Sequence, residues 1–144
     1  MTDGNGSASR SARVLVVEDE FLIADHLAMT LEDLGYDVVG PVSTIDEALA
    51  VIRDQALDAA LLDANLDGVS SAAIAKELSA RAVPFVVVTG YGGLPLESAI
   101  LDDAPRVAKP LVASKLAGAL AESLARRGRW RSGNGRNWRN SSRP

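Results

Sequence analysis

The chain has 144 residues, 47% hydrophobic and only 4% aromatic, enough for one domain with an aliphatic core. With no cysteine and a single histidine, His26, it has no means of forming disulfides, thiolate sites, cysteine nucleophiles or a multi-histidine metal centre, and a Ser-His-Asp triad is disfavoured. The net charge of −4 hides an asymmetry: from Arg126 onward there are seven arginines and no acid, while the remaining residues carry 8 Lys and Arg against 19 Asp and Glu.

Residues 1–12 are small and polar and read as a disordered lead-in without the apolar segment of a secretory signal. No apolar run approaches the roughly 20 residues that a spanning helix needs, so a cytoplasmic protein without membrane contact is expected. Arg13–Val17 is an unbroken β-branched run, as in a strand covered on both faces, and it stops at Glu18-Asp19-Glu20. Ile23, Leu27, Leu31 and Leu34 then fall at helical spacing, with Gly35 at the expected C-terminal cap. Tyr36–Pro41 reads as a weaker strand near an edge, since proline cannot donate to a ladder. Thr44 and Glu47 form a capping box before the stripe Ile45, Ala48, Leu49, Ile52.

Ala59–Asp63 is the third strand, and Ser70 or Ser71 caps a helix through Ile74 and Leu78. Pro84–Thr89 is the fourth strand. Gly90, Gly92, Gly93 and Pro95 leave room only for a short helix around Leu96–Leu101. Arg106–Lys109 is a short fifth strand ended by Pro110, and Leu116, Leu120 and Leu124 mark the last helix. Five β-α repeats predict an α/β fold, a five-stranded parallel sheet with helices on both faces and right-handed crossovers. The boundaries expected are a domain over 13–126 and a disordered, Arg-rich tail over 127–144.

In such a sheet the carboxyl ends of the strands share one edge, where ligands of open α/β sheets bind. Glu18 and Asp19 follow the first strand, Asp63 ends the third, Thr89 the fourth and Lys109 the fifth. Three carboxylates together call for a cation. A hard, oxygen-ligated ion such as Mg²⁺ suits them, because it takes one or two carboxylates and a phosphoryl oxygen. The chemistry suggested is phosphoryl transfer to Asp63, driven by positioning and electrostatics. The plainer alternatives are that Asp63 begins a turn, that Glu18-Asp19-Glu20 is only a helix N-terminus, that Thr89 is a strand residue and that Lys109 is a surface lysine; the acidic run is read as both helix start and site, with Glu20 the bystander. Their coincidence at four strand ends favours the site. Asp67-Gly68 reads as a turn and His26 as a partly exposed helix residue.

Val14–Glu20, Leu61-Leu62-Asp63, Val88-Thr89-Gly90 and Lys109-Pro110 together resemble the receiver domain of two-component response regulators, over residues 13 to about 126. Phe85, Thr89, Gly90 and Tyr91 further resemble a stand-alone, alphaproteobacterial subfamily with a Phe-x-x-x-Thr-Gly-Tyr segment. The resemblance implies a flavodoxin-like (βα)5 fold, with Asp63 as phosphoacceptor. It also implies Mg²⁺ on Glu18, Asp19, Asp63 and the Asn65 backbone carbonyl, and Thr89 and Lys109 on the phosphoryl group. The donor would be a sensor histidine kinase or phosphotransfer protein, the output a protein contact or a phosphate sink, and the chain no enzyme in the ordinary sense. Three departures stand out: Arg106 replaces the switch aromatic three residues before the lysine, the turn after Asn65 lacks its proline, and the fourth helix is reduced. Tyr91 is either a packed loop aromatic or a substitute switch. The stand-alone reading expects no output domain after the last helix. The tail, with Trp130 and Trp138, is a solubilising extension, a nucleic-acid contact or a clasp on the acidic body. The alternative function is a receiver-like scaffold that is never phosphorylated.

Overall fold

A computed structural model describes residues 11–90 and 98–132, with side chains as far as Arg126. The elements run β1 (Arg13–Val17), α1 (Phe21–Asp33), β2 (Asp37–Val42), α2 (Ile45–Asp54), β3 (Ala59–Asp63), β4 (Asn65–Leu66), β5 (Val69–Ser70) and α3 (Ala72–Ala80). They continue with β6 (Phe85–Thr89), α4 (Ala99–Asp102), β7 (Arg106–Ala108) and α5 (Ala113–Ser132).

The main sheet is parallel, in the order β2-β1-β3-β6-β7, so the expected flavodoxin-like architecture is present. Apolar residues run without alternation along β1, β3 and β6 because each strand feeds two cores. Leu15, Val17, Ala60, Leu62 and Val87 pack toward α2, α3 and α4. Val14, Val16, Ala59, Leu61 and Val86 pack toward Leu27 and Leu31 of α1 and Leu116 and Leu120 of α5. Leu61 and Leu62 are fully buried on opposite faces, each contributing about 1.5–3 kcal/mol.

The proline-bearing β2 is an edge strand, as expected, and continues one residue further, to Val42. Its pairing with β1 shifts between Leu15 and Val17. Gly40 makes the shift possible: it has φ +93°, and a Cβ there would stand 2.9 Å from Val42 N and 3.2 Å from Val16 O. The Gly40-Pro41 and Lys109-Pro110 peptide bonds are both cis. Gly35, at φ +94°, ends α1 as expected, whereas Leu34 sits at the C-cap with 40% exposure instead of closing the apolar stripe. Thr44 caps α2 by accepting from Glu47 N, while the Glu47 carboxylate accepts from Ser43 N.

The fourth helix is a single turn at Ala99–Asp102, slightly later than its expected place. Helix α5 runs to Ser132, past the boundary expected at residue 126. The tail beyond Ser132, including Trp138, and the side chain of Trp130 lie outside the described residues, as does Tyr91. The sequence also gave no sign of β4 and β5, a two-stranded antiparallel hairpin inserted between β3 and α3.

Candidate functional site at the carboxyl edge of the sheet

Strand order reverses between β1 and β3, which leave in opposite directions across the sheet, and a crevice opens beyond their carboxyl ends. The expected acids stand there. Glu18, Asp19 and Asp63 each offer a carboxylate oxygen within 4.8 Å of the others. Glu18 and Asp63 are buried, at 2% and 6% exposure, and Asp19 is half-buried. Lys109 joins from the end of β7, with Nζ 3.4 Å from Asp63 Oδ2 and 3.4 Å from Glu18 Oε1. Thr89 is buried at the tip of β6, and its carbonyl accepts from Lys109 N at 2.9 Å, tying the two strand ends together.

Each group is held by local backbone. Glu18 N donates to Val42 O at 3.0 Å, so the register shift at Gly40 in β2 fixes the start of the acidic run. Glu18 Oε2 accepts from Glu20 N at 3.1 Å. Asp63 Oδ1 accepts from Asn65 N at 3.3 Å, and Ala64 N donates to Val88 O.

The hairpin determines how Asn65 is presented. Asn65 pairs with Ser70 and Leu66 with Val69, around a turn with Asp67 at φ 51° and Gly68 at φ 86°. Ser71 N donates to Ala64 O, so the pair Ala64/Ser71 is hydrogen-bonded. Antiparallel ladders alternate bonded and non-bonded pairs, so the next pair, Asn65/Ser70, is a non-bonded one. The Asn65 carbonyl is therefore directed out of the ladder. The Asn65 side chain instead caps the turn, accepting from Gly68 N at 2.7 Å. Asp67 belongs to that turn, as expected.

Charge is poorly balanced in the crevice. Burial, and then the neighbouring Asp63 carboxyl, push Glu18 up to about 7, well above the ordinary carboxylate value. For Lys109, burial opposes the charged form, but Asp63 and Glu18 outweigh it and hold the ammonium above its ordinary value. Glu18 Oε1 is buried and accepts no hydrogen bond; its neighbour Lys109 Nζ makes an ion-pair contact only. A buried carboxyl oxygen without a donor, two further carboxylates and the Asn65 carbonyl form an all-oxygen donor set, which fits a hard divalent cation such as Mg²⁺.

Sequence reading missed two participants. Glu20, set aside as a bystander, places Oε1 3.7 Å from Lys109 Nζ, making it the third carboxylate on that cation. Its position directly after Glu18-Asp19 was the only available hint. The Val42 carbonyl left no sequence signal beyond the Gly-Pro pair before it. Arg106, at the expected aromatic position, pairs through Nη2 with Asp102 Oδ1 of α4 at 2.6 Å. His26 is an exposed residue of α1, as expected.

A family model described as the response regulator receiver domain matches residues 14–120. The transcriptional regulatory protein PdtaR of Mycobacterium tuberculosis is 33% identical over 93 residues, 62% of this chain and 43% of that protein. The phyllosphere-induced regulator PhyR of Methylorubrum extorquens is 29% identical over 121 residues, 82% of this chain and 45% of that protein. The chain thus spans less than half the length of either relative. Among solved structures, SdrG from Sphingomonas melonis Fr1 is 40% identical, with a TM-score of 0.70 over 81% of this chain and 98% of that one.

Proposed function

We propose a function from one premise: the chain belongs to the response regulator receiver domain family. Its reading is a signalling phosphoacceptor that takes a phosphoryl group onto Asp63 from a phosphohistidine on a sensor histidine kinase or phosphotransfer protein. The observation that carries it is the convergence of Glu18, Asp19 and Asp63 with Lys109 3.4 Å from the Asp63 carboxylate. A carboxylate oxygen of Asp63 attacks phosphorus, the P–N bond breaks, and its electron pair leaves on the donor imidazole. Lys109 and the Thr89 hydroxyl receive the phosphoryl oxygens, and Asn65 N steadies the acceptor carboxylate. Glu18, Asp19, Asp63 and the Asn65 carbonyl would hold Mg²⁺, which when bound neutralises charge on the carboxylates and the transferred group.

The protein partner has an apolar landing place beside the site. Phe21 and Leu22 at the start of α1 are each 79% exposed and Val112, three residues after Lys109, is 48% exposed. Donor docking over these side chains supplies the affinity that a bare carboxylate lacks. Output then passes to a protein partner, or the chain drains phosphate from its kinase. The Arg-rich tail offers the single route to nucleic acid. The protein is not an enzyme in the turnover sense, although it promotes gain and slow loss of its own phosphoryl group. No helix of the described residues is long and apolar enough to cross a membrane, and we assign a cytoplasmic location with this reading.

Incubation with acetyl phosphate and Mg²⁺, followed by intact mass, tests it. One phosphoryl group is expected on the wild type and none on Asp63→Asn. An unlabelled wild type would leave the unphosphorylated scaffold as the function, and an undiminished adduct on Asp63→Asn would remove Asp63 from its role.

A further inference from the structure

Glu20 does nothing in the phosphoacceptor reading above, yet its carboxylate leans on Lys109, the one cation of the site among the described residues. Lys109 Nζ stands 3.4 Å from Glu18 Oε1, 3.4 Å from Asp63 Oδ2 and 3.7 Å from Glu20 Oε1. The three partners differ in kind. The Glu18 and Asp63 side chains are 0% and 8% exposed, whereas that of Glu20 is 63% exposed. Glu20 therefore stands on the solvent side of Lys109. The two contacts through Nζ limit the separation of Glu20 Oε1 and Asp63 Oδ2 to about 7 Å, a range at which charge is felt even through water.

We propose that Glu20 is a specificity-determining residue that discriminates against small anionic phosphodonors by repelling them at the mouth of the site. It acts in two ways. It adds a negative charge on the approach path, and it occupies part of the ammonium that would otherwise draw phosphoryl oxygens toward Asp63. A free acyl phosphate has only its charge to bring it in, so it meets the full repulsion. A protein-borne phosphohistidine is anchored by contacts outside the crevice, so its transfer is set by docking and by geometry. Glu20 thereby couples charging of Asp63 to a docked protein rather than to the pool of small phosphodonors. This inference rests on the phosphoacceptor reading and adds a donor preference to it.

With acetyl phosphate, an Asp63 oxygen forms the new P–O bond, the bond from phosphorus to the acetyl oxygen breaks, and acetate leaves with the electron pair. With phosphoramidate, the P–N bond breaks and the nitrogen leaves as ammonia after taking a proton from solvent. Acetyl phosphate carries about two negative charges near neutral pH and phosphoramidate about one, so Coulomb's law in water at about 7 Å sets the scale. Removing the Glu20 charge accelerates the first donor about sevenfold and the second by the square root of that, about threefold. Reversing it should square the first effect, to about fiftyfold.

The experiment measures second-order labelling rates of the full chain by intact mass, for wild type, Glu20→Gln and Glu20→Lys, with each donor and from low to molar salt. The Gln variant keeps the length of the side chain and the backbone N–H that serves Glu18 Oε2, so a purely structural role predicts equal changes for both donors. The expected result is an acceleration that scales with donor charge and collapses toward one at high salt, where the screening length falls to about 3 Å. Equal rates in all three proteins, or equal changes for both donors, overturn the assignment of Glu20 while leaving Asp63 as acceptor. Absence of labelling in all three with either donor overturns the phosphoacceptor reading and this inference with it.

Discussion

Glu18 makes the stability of the metal-free protein depend on pH in a direction opposite to most carboxylates. In the unfolded chain its carboxyl loses its proton near 4.5; in the folded site burial and Asp63 hold the proton to about 7. Between those values the folded protein binds more protons than the unfolded one, so stability falls as pH rises. The contribution is complete below about 4.5 and is lost as pH passes 7. A displacement of about 2.5 units corresponds to a ceiling of about 3.4 kcal/mol, and water reaching the site past the exposed Glu20 cuts this to about 1–2 kcal/mol. For a domain of this size that is about 4–8 °C in Tm. Thermal and urea unfolding in EDTA at pH 5, 6, 7 and 8 reads it out, with Glu18→Gln as comparator because glutamine carries no titrating proton. The advantage of Glu18→Gln over wild type should grow by about 1–2 kcal/mol from pH 5 to 8. Added Mg²⁺ should stabilise the wild type more at pH 8 than at pH 5, because the ion and the proton compete for the same oxygens. A wild-type/Gln difference that is flat across the window would refute the reasoning, since Asp19, Asp63, Glu20 and Lys109 remain in both proteins.

Lys109→Ala withdraws the cation from three carboxylates, and a loss of about 1–3 kcal/mol is expected in EDTA, with partial recovery in Mg²⁺, read by urea midpoints. Gly40→Ala places a Cβ 2.9 Å from Val42 N at φ +93°; a loss of about 2 kcal/mol or more is expected in the same unfolding assay, with weakened Mg²⁺ affinity because Val42 O anchors Glu18 N. Asp67→Gly relaxes a residue at φ 51° and should change stability by under about 1 kcal/mol. By contrast, Asn65→Ala removes the acceptor for Gly68 N at 2.7 Å and should loosen the hairpin, visible as faster amide exchange at Gly68 and Val69.

What could be read from the sequence follows from periodicity and punctuation. The runs Val14–Val17, Ala59–Leu62 and Val86–Val88 can bury both faces only inside a parallel sheet, and that sheet brings their polar tips together. Glu18, Asp19, Asp63, Thr89 and Lys109 were thus placed by topology alone. The two-residue strands β4 and β5 were not legible: a hairpin of that length leaves no period to detect, and Asp67-Gly68 looks the same in any tight turn. Glu20 was set aside as a bystander because its part depends on which way an exposed side chain turns. The register shift at Gly40 was hidden because Gly-Pro signals an edge without saying which carbonyl the bulge will present.

The site works against the fold that carries it. Of the three acids around Lys109, only the exposed Glu20 can shed its field freely into water, while Glu18 and Asp63 are buried on strand tips that cannot retreat. Those tips are fixed because β1 and β3 are central strands, with Val14–Val17 and Ala59–Leu62 packed into both cores. Several side chains at about 1.5–3 kcal/mol each outweigh the cost of one protonated and two repelling carboxylates. Mutations that neutralise Glu18 or Asp63 should therefore raise stability in EDTA even as, on the phosphoacceptor reading, they abolish phosphorylation. On the phosphoacceptor reading, the same imbalance predicts that charge arriving at Asp63 should be felt beyond it. Lys109 must redistribute among Glu18, Glu20 and the new oxygens, and its backbone is bonded to Thr89 on the neighbouring strand. Arg106, three residues earlier at the start of β7, is tied by its ion pair to Asp102 in α4. A rigid central sheet and a single-turn helix at its edge leave β7 and α4 as the elements most able to yield.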